Sequence, residues 1–468
     1  MKIMLIAPAS GRWKEVGKSL FFNGRTFRFS LLSLLSVAAE TPPDIEVTII
    51  DEQIDEIPWD KEIDLAGITC MTALAPRAYE ISSRFREKGI PVVLGGTHPT
   101  LCPEEALENA DAVVAGDAEG IWQKVITDAE NGKLKGIYKN DSPPELKGLS
   151  VPPRHLLKNK NYGTVQAVQA SRGCSNGCSF CSISAFHNKT QRYRPVDEVI
   201  NEVSSIPDNF FIFVDDNLTA DMEYAAELFK KLIPLKKKWV TQSTLSICDD
   251  KSFVRLAAEA GCIGLFVGLE TFSGANLDSV NKKCHRVDQY REAIELLHSN
   301  GICVEAGIVF GFDNDGPDVF GQTLDTLDRL EVDAVQISVF TPLPGTPGHK
   351  EMESRIFNRN RACYDFHNVV FRPLKMTADD LKAGHDWVTQ KFYSPLRIIR
   401  RAFRHALRPG GFSTMYYLIA VNIAYMGRVL RWNIKGYDPL KKLKKSRYPF
   451  LSRLHGLKHF SSAVIGRK

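Results

Sequence analysis

Short apolar runs alternate with amphipathic stretches over the first 140 residues, a pattern typical of repeated strand–helix units. We predict buried strands at 2–7, 45–51, 64–69, 91–95 and 111–115, and helices near 28–40, 75–88, 103–109 and 119–131. Because strand and helix alternate, the strands should lie parallel with helices on both faces. The first 140 residues therefore predict an α/β domain with a doubly wound parallel sheet.

A second strand–helix series follows a polar, proline-bearing stretch at 141–165, which we interpret as a linker. We predict its strands at 164–170, 209–215, 239–245, 262–270, 302–311 and 334–341. Six such units predict a partial (β/α)6 TIM-like barrel over 166–348, with functional groups at the carboxyl ends of its strands. Helical patterns at 379–393 and 395–407 predict a helical C-terminal region over 349–468.

Composition places this chain among soluble globular proteins, since 44% of its 468 residues are hydrophobic and 25% are charged. A chain of this length needs two or three hydrophobic cores. The apolar run at its start is too short for a secretory signal peptide. Its ten cysteines are scattered apart from one group, as expected of thiols in a reducing compartment. We therefore expect a cytoplasmic protein.

Charge is distributed unevenly along the chain. Residues 391–468 carry 18 Lys or Arg and one acid, whereas residues 1–390 carry 42 basic and 54 acidic residues. Within this basic tail, an apolar stretch at 415–426 is too short to span a bilayer, for which about 20 residues are needed. Together these features favour peripheral contact with the anionic inner face of a membrane. A solvated tail and a helix packed on the barrel are the alternatives, and nucleic acid is not the expected partner.

The most informative residues are three cysteines, Cys174, Cys178 and Cys181, spaced C-x3-C-x2-C with an aromatic residue before the last. Electron-transfer clusters and all-cysteine zinc sites usually take four cysteines. Three thiolates can instead hold three irons of a [4Fe-4S] cluster and leave the fourth iron open to another ligand. Two glycines in the segment allow the loop to bend tightly. A zinc knuckle or three unrelated thiols are the alternative interpretations.

This motif resembles the signature of the radical S-adenosylmethionine (SAM) superfamily. The resemblance implies a [4Fe-4S] cluster on the three cysteines, with SAM chelated to the open iron through its amino and carboxylate groups. It further implies reductive cleavage of SAM to a 5′-deoxyadenosyl radical, with a reducing donor such as flavodoxin or ferredoxin. The cofactors carry that chemistry, and the protein positions them.

The resemblance extends to the strand ends of the predicted barrel. It implies that polar groups after the second strand bind the SAM amino group. It also implies that a carboxylate at the end of the fourth strand accepts hydrogen bonds from the ribose hydroxyls, and that glycines on the fifth strand let the adenine approach the backbone. The implied SAM-binding residues are Phe180, Asp215, Asp216, Asn217, Gly268, Glu270, Gly307 and Gly311. A structural ion pair is the alternative for Glu270, and only one of the three polar residues at 215–217 needs to touch SAM.

Residues 1–140 look like the cobalamin-binding domain that precedes many radical SAM domains. The resemblance rests on two segments after predicted strands, Gly95-Gly96-Thr97-His98-Pro99-Thr100 and Ala115-Gly116-Asp117-Ala118-Glu119-Gly120. The implied cobalamin-binding residues are Thr69, Gly95, Gly96, Thr97 and Gly116. The motif D-x-H-x-x-G, whose histidine binds cobalt, is absent, so we expect no protein histidine on the metal.

These features predict a cobalamin-dependent radical SAM enzyme that methylates an unactivated carbon of a hydrophobic or lipid-like small molecule. Relatives with the same two domains also catalyse cyclisation or rearrangement, which the motifs do not separate from methylation. A methylthiotransferase needs three further cysteines near the N-terminus, where only Cys70 and Cys102 occur. The non-enzyme alternative is an iron–sulfur electron carrier. The sequence assigns no catalytic side chain and no specific substrate.

Overall fold

Two parallel sheets form the framework of the protein in a computed structural model that describes residues 1–9, 31–157, 162, 166–409 and 411–434. The first sheet has six strands in the order β2-β1-β3-β4-β5-β6. Its strands are β1 (Lys2–Ala7), β2 (Glu46–Asp51), β3 (Leu65–Thr69), β4 (Val92–Gly95), β5 (Ala112–Val114) and β6 (Gly136–Tyr138). The strand order reverses beside β1, and the carboxyl ends next to such a reversal form a ligand-binding crevice.

Helices cover both faces of this sheet, as the doubly wound pattern predicted. They are α1 (Leu32–Ala39), α2 (Ala75–Arg86), α3 (Thr97–Leu101), α4 (Pro103–Leu107) and α5 (Trp122–Glu130). Apolar side chains from the two faces of the strands enter two separate cores, one under α1 and α5 and one under α2. Burial on both faces explains why the strands read as continuous apolar runs. The predicted start of the first helix, at 28–30, lies outside the described residues.

The second sheet has six parallel strands in the order β14-β13-β12-β11-β10-β7. They are β7 (Ala167–Val168), β10 (Phe210–Phe213), β11 (Lys238–Ser243), β12 (Cys262–Glu270), β13 (Cys303–Phe310) and β14 (Ala334–Val339). Intervening helices are α7 (Val196–Ser205), α8 (Met222–Leu232), α9 (Lys251–Glu259), α10 (Gly274–Ser279), α11 (Tyr290–Ser299) and α12 (Val319–Arg329). The α/β fold class is thereby confirmed, while the domain boundaries at 140, 165 and 348 stay predictions.

A short antiparallel hairpin, which the sequence patterns did not reveal, flanks the cysteine motif. Strand β8 (Ser171–Gly173) pairs with β9 (Gln191–Tyr193), and helix α6 (Ser182–Phe186) lies between them. Arg172 pairs with Arg192 across the two strands. Three-residue strands rich in Arg, Gln and Gly give no periodic signal, so only the folded chain reveals this element.

The described part of the C-terminal region, up to residue 434, is helical as predicted. It contains α13 (Pro347–Met352), α14 (Ala378–Phe392), α15 (Pro395–Ala406) and α16 (Phe412–Ile434). One side of α16 is buried against the barrel, with Leu418, Val421 and Asn422 almost inaccessible. Packing on the barrel, one of the alternatives for residues 415–426, therefore applies to that side of the helix. None of the helices in the described residues is long and apolar enough to cross a membrane.

Candidate functional site

The three cysteines of the motif lie on one loop between β8 and α6, at the carboxyl end of the first barrel strand. Cys178 is buried and Cys174 and Cys181 are half-buried. Gly173 begins this loop with φ +90°, and a Cβ there would lie 2.2 Å from the Thr190 carbonyl oxygen. The left-handed conformation and the close approach both require glycine. The loop is therefore held in one tight conformation.

Two other barrel loops hold the cysteine loop through hydrogen bonds. The Ser179 amide donates to the Val280 carbonyl over 3.1 Å, and the Asn281 side-chain amide donates to the Gly177 carbonyl over 3.1 Å. From the loop after β14, the Gly348 amide donates to the Ser179 carbonyl over 2.9 Å. These contacts fix the loop from the side of β12 and the side of β14.

The thiols fit the chemistry of a metal cluster. Burial raises the pKa of Cys178 to about 12, although the nearby Lys282 lowers it. Burial also raises the pKa of Cys181, and the nearby Cys174 raises it further. All three cysteines are free of disulfides. A cluster bound by these three free thiols would supply the positive charge that their ionised form needs in a buried loop.

Of the predicted SAM contacts after β10, the first two are engaged with the main chain. The Asp215 carboxylate is fully buried and accepts hydrogen bonds from the amides of Ala170 and Ser171 and from the Ser171 hydroxyl. Burial raises the pKa of Asp215 to about 7 despite these bonds. Asp216 accepts the Gly173 amide over 3.0 Å. Both carboxylates thus position the start of the cysteine loop.

Asn217 differs from its two neighbours. Its side chain is 4% exposed, and its Oδ1 atom has no hydrogen-bond partner among the described residues. A buried acceptor without a donor is costly and fits a ligand that brings one. Of the three residues, Asn217 is therefore the better placed to receive the SAM amino group, which stays a prediction.

Glu270 ends β12 in a strained conformation beside the cysteine loop. Its φ is +63°, and the register of β12 against β13 shifts between Gly268 and Glu270. Its carboxylate accepts a 2.6 Å hydrogen bond from the buried Lys282 ammonium. A Cβ on Gly268 would lie 2.3 Å from Glu270 Oε1, so Gly268 leaves room for this pair. Lys282 has no other acceptor among the described residues, which leaves donors for a ligand.

The remaining predicted SAM contacts are packed by aromatic rings. The Phe180 ring lies 6.2 Å from Phe340 in an edge contact. A Cβ on Gly307 would lie 3.1 Å from the Phe266 ring. Gly311 has φ +104°, and a Cβ there would lie 2.9 Å from the Leu381 side chain. Close packing therefore explains why both positions are occupied by glycine. Adenine contacts at these positions stay predictions.

The predicted cobalamin contacts come together at the carboxyl edge of the first sheet. Thr69, Gly95 and Gly116 follow or end the neighbouring strands β3, β4 and β5, and Gly96 and Thr97 begin α3. Gly96 has φ +96°, and a Cβ there would lie 2.5 Å from Thr69 Oγ1. The position of a Cβ on Gly116, at φ +105°, has no neighbour within 4 Å. Gly116 thus leaves the edge open at one position, as the approach of a large flat cofactor would require.

His98 lies beside this edge but is enclosed. It is fully buried, and its Nε2 atom lies 3.0 Å from the Tyr79 hydroxyl and 3.2 Å from Glu105. Burial lowers the pKa of His98, so the ring is neutral near pH 7. Glu105 also pairs with Arg361 from the C-terminal region over 2.7 Å. This network connects the first sheet to the barrel side of the molecule.

Ion pairs join the cobalamin edge to the cysteine loop. Arg172, two residues before Cys174, donates to Glu119 over 2.6 Å and to Asp117 over 3.2 Å. Arg192 on β9 pairs with Asp117 over 2.5 Å. The Arg172 and Glu119 side chains are about nine-tenths buried. The two predicted cofactor sites therefore share a buried polar contact.

Sequence reasoning missed Lys282, Arg172 and Cys284. Burial raises the pKa of Cys284, Lys282 lowers it and Cys174 raises it further. Because Cys174 affects its pKa, this fourth thiol lies near the motif. Lys282 and Cys284 stand in a polar stretch typical of a solvated loop, and only the turn after α10 brings them close to the motif. Arg172 stands two residues before Cys174, but nothing in the sequence revealed its contact with Glu119.

Comparisons with known proteins agree with this arrangement. A model of the "Radical SAM superfamily" matches residues 168–327, and one of the "B12 binding domain" matches residues 36–126. The chain is 29% identical over 382 residues to bacteriochlorophyllide d C-12(1)-methyltransferase of Chlorobaculum tepidum, covering 79% of this chain and 84% of the relative. It is 26% identical to the anaerobic magnesium-protoporphyrin IX monomethyl ester cyclase of Cereibacter sphaeroides, covering 75% and 63%.

A solved structure shares the fold. The radical SAM methyltransferase TsrM from Kitasatospora setae, with cobalamin and a [4Fe-4S] cluster bound, superimposes with a TM-score of 0.65 at 16% identity. The match covers 92% of this chain and 99% of TsrM. The cofactors of this protein are a [4Fe-4S] cluster, SAM and cobalamin. The chain carries a radical SAM domain and a B12-binding domain, the pair found in cobalamin-dependent radical SAM enzymes, and the two meet here at the cysteine loop.

Proposed function

We propose that this enzyme transfers a methyl group to an unactivated carbon of a hydrophobic or lipid-like small molecule. The observation that carries the proposal is the buried contact of Arg172 with Glu119 and Asp117. It places the glycine-lined edge that suits cobalamin directly beside the loop that suits the cluster. A substrate between the two could then reach both.

The side chains around the cysteine loop have definable tasks. When bound, the cluster, SAM and cobalamin supply the radical and methyl-transfer chemistry. Cys174, Cys178 and Cys181 would hold the cluster, and the Glu270–Lys282 pair offers a carboxylate and an ammonium for polar groups of SAM. Charge-assisted hydrogen bonds of this kind orient a ligand strongly. The chain thus positions SAM relative to the edge of the first sheet.

Aromatic packing supports a hydrophobic substrate. The Phe340 ring makes edge contacts with the Phe180 ring at 6.2 Å and with the Phe312 ring at 5.7 Å. Both contacts lie at the carboxyl ends of barrel strands, where substrates of such barrels bind. The bacteriochlorophyllide named for one relative is consistent with such surroundings. We also propose a small reducing partner, such as flavodoxin or ferredoxin, as the electron donor.

Cyclisation or rearrangement is the second candidate function, because one relative is named a cyclase. The methylthiotransferase alternative is disfavoured by the first 140 residues, which hold only Cys70 and Cys102. Cys70 is buried against the sheet. An electron carrier would need a fourth cluster cysteine, and Cys284 is a candidate because its thiol interacts with Cys174.

Transfer of a labelled methyl group separates these functions. Anaerobic holoenzyme would receive SAM carrying a deuterated methyl group, a reductant, and either bacteriochlorophyllide d or an isoprenoid lipid. We expect deuterated methyl in an extracted acceptor, together with 5′-deoxyadenosine. Formation of 5′-deoxyadenosine with a product of unchanged carbon count would contradict methylation and favour cyclisation or rearrangement. Absence of SAM cleavage would contradict both and favour the carrier.

Membrane contact by the basic tail, at the cytoplasmic face, is a further part of the proposal. The strongly basic segment 441–447 lies outside the described residues. The charge of the tail supports such contact, since each basic residue near an anionic surface contributes about 1 kcal/mol.

A further inference from the structure

Helix α15 (Pro395–Ala406) is oriented with its polar side toward the protein. Arg401 and His405 point inward and are 7% and 5% exposed, and Arg401 donates to the Asn422 side chain over 2.7 Å. The opposite side carries an apolar stripe at spacings of three and four residues: Leu396, Ile399, Phe403 and Leu407. These side chains are 65% to 82% exposed. A helix on a soluble protein normally shows the reverse arrangement.

The stripe continues onto the start of α16. Phe412, Tyr416 and Ile419 lie on one side of that helix and are 85%, 61% and 38% exposed. The Phe412 and Tyr416 rings stack at 6.5 Å. We call these seven exposed side chains, four from the α15 stripe and three from α16, the apolar face. Seven exposed apolar side chains on two helices that contact each other exceed the single scattered ones expected of a protein surface, and they mark an interaction site.

Ion pairs fix this face in its outward position. Arg397 pairs with Asp328 over 2.9 Å, and Arg404 and Arg408 both pair with Glu331 next to α12. Turning the stripe inward would break these pairs and would expose the Arg401–Asn422 contact. The outward orientation is therefore built into the packing of α15.

The charge around the apolar face selects the occupant. Arg400 is exposed beside the stripe, with no ion-pair partner among the described residues. The chain that follows α16, residues 435–468, contains ten Lys or Arg and one Asp. A second copy of the chain on this face would bring together two segments 395–434 that each carry seven Arg and no Asp or Glu, which costs energy. An anionic lipid surface would accept both the apolar stripe and the positive charge.

We propose that the apolar face docks on an anionic membrane, with α15 and the first turns of α16 lying in the lipid interface. The face is at the amino end of the barrel, because Arg408 also contacts Asp333 before β14 and Asn422 donates to the Asp333 carbonyl. The cysteine loop is at the opposite end. Docking therefore tethers the enzyme with its cofactor loop away from the bilayer.

Vesicle flotation of the full anaerobic chain tests this proposal. Vesicles of phosphatidylglycerol and phosphatidylcholine would be compared with phosphatidylcholine alone. The variant Ile399→Glu/Phe403→Glu replaces two side chains of the apolar face. The matched control, Val151→Glu/Leu374→Glu, makes the same charge change at side chains that are 59% and 62% exposed elsewhere. All four positions are exposed, so we expect both variants to fold.

We expect wild type and control to float with the anionic vesicles within about twofold of each other, and the face variant to bind about tenfold more weakly or worse. Amide hydrogen exchange in 395–409 should also slow on anionic vesicles in the wild type. Equal flotation of the two variants, or unchanged exchange, would overturn the proposal. A wild-type dimer in sedimentation that only the face variant loses, without vesicle binding, would assign the face to a second copy instead.

Discussion

Glu270 and Lys282 form an ion pair beside the cysteine loop, and both side chains are about nine-tenths buried. Such a pair can be structural or can serve a ligand, because the strained φ of Glu270 fits either role. We predict that Glu270→Gln weakens SAM binding by about 1–3 kcal/mol, since an amide makes weaker hydrogen bonds to hydroxyls than a carboxylate does. Isothermal titration of SAM into the iron-loaded protein measures this change.

The double variant Glu270→Gln/Lys282→Gln separates the two roles. If Glu270 or Lys282 contacts SAM, the affinity for SAM remains low when both charges are removed. A purely structural pair would give a different result, because the single variant leaves a buried ammonium unpaired and the double variant removes that defect. Recovery of normal SAM affinity in the double variant would therefore rule out a ribose contact.

We expect each of the three motif cysteines to be required for the cluster. Replacing any one of Cys174, Cys178 and Cys181 by Ala should abolish the cluster signal and reductive SAM cleavage. Cys284→Ala should retain iron and cleavage, because three cysteines suffice when SAM completes the site. Iron and sulfide analysis with electron paramagnetic resonance measures both. Loss of the cluster in Cys284→Ala alone would point to four cysteine ligands and to an electron carrier.

Residues near the motif differ in how far the sequence revealed them. Glu270 was found because it ends an apolar strand, where family resemblance gives it a role. Lys282 was not, since a lysine in a polar turn resembles any solvated lysine. Asp215 illustrates a third case, because its place at a strand end was visible but its bonds to Ala170 and Ser171 were not. Contacts between distant segments decide such roles.

At the scale of elements, the cysteine loop depends on the left-handed conformation of Gly173. We predict that Gly173→Ala reduces cluster content strongly, because the added Cβ would approach the Thr190 carbonyl to 2.2 Å and strain of about 1–3 kcal/mol accompanies the positive φ. Gly274→Ala, on α10 with no neighbour within 4 Å, is the matched control and should keep its cluster. Iron content per chain after anaerobic reconstitution measures the difference. Equal iron in the two variants would contradict this account of the loop.

Elements with long apolar runs were predicted well from the sequence, and short ones were not. The strand predicted at 262–270 has those bounds, whereas that at 164–170 is reduced to β7 (Ala167–Val168) among the described residues. Strand β6 and the β8–β9 hairpin carry no apolar repeat and were missed. Their backbone groups pair because neighbouring strands offer partners, which is tertiary information.

At the scale of the whole molecule, the buried pair of Arg172 and Glu119 connects the two cofactor regions. We predict that Arg172→Ala lowers the free energy of unfolding by about 3–5 kcal/mol, because it leaves the Glu119 carboxylate buried without its partner. Arg286→Ala removes an exposed pair with Asp288 and should cost at most about 1 kcal/mol. Anaerobic urea unfolding compares them. Equal midpoints would mean that the domain contact contributes little to stability.

Cobalamin binding is also tested on the whole molecule. The described histidine nearest the glycine-lined edge, His98, is enclosed by Tyr79 and Glu105. We predict that the reconstituted protein retains corrin without imidazole coordination to cobalt. Electron paramagnetic resonance of the cob(II)alamin form reports this through the nitrogen splitting of an axial ligand. Splitting from a histidine nitrogen would contradict the prediction.

The central claim is that one chain holds a SAM-cleaving cluster and cobalamin side by side. Its most direct test is a single anaerobic preparation in which iron, sulfide, corrin and 5′-deoxyadenosine are all quantified. We expect about four iron atoms and about one corrin per chain, with 5′-deoxyadenosine formed on reduction in the presence of SAM. Cluster and SAM cleavage without any retained corrin would contradict the claim and would leave a radical SAM enzyme that works without cobalamin.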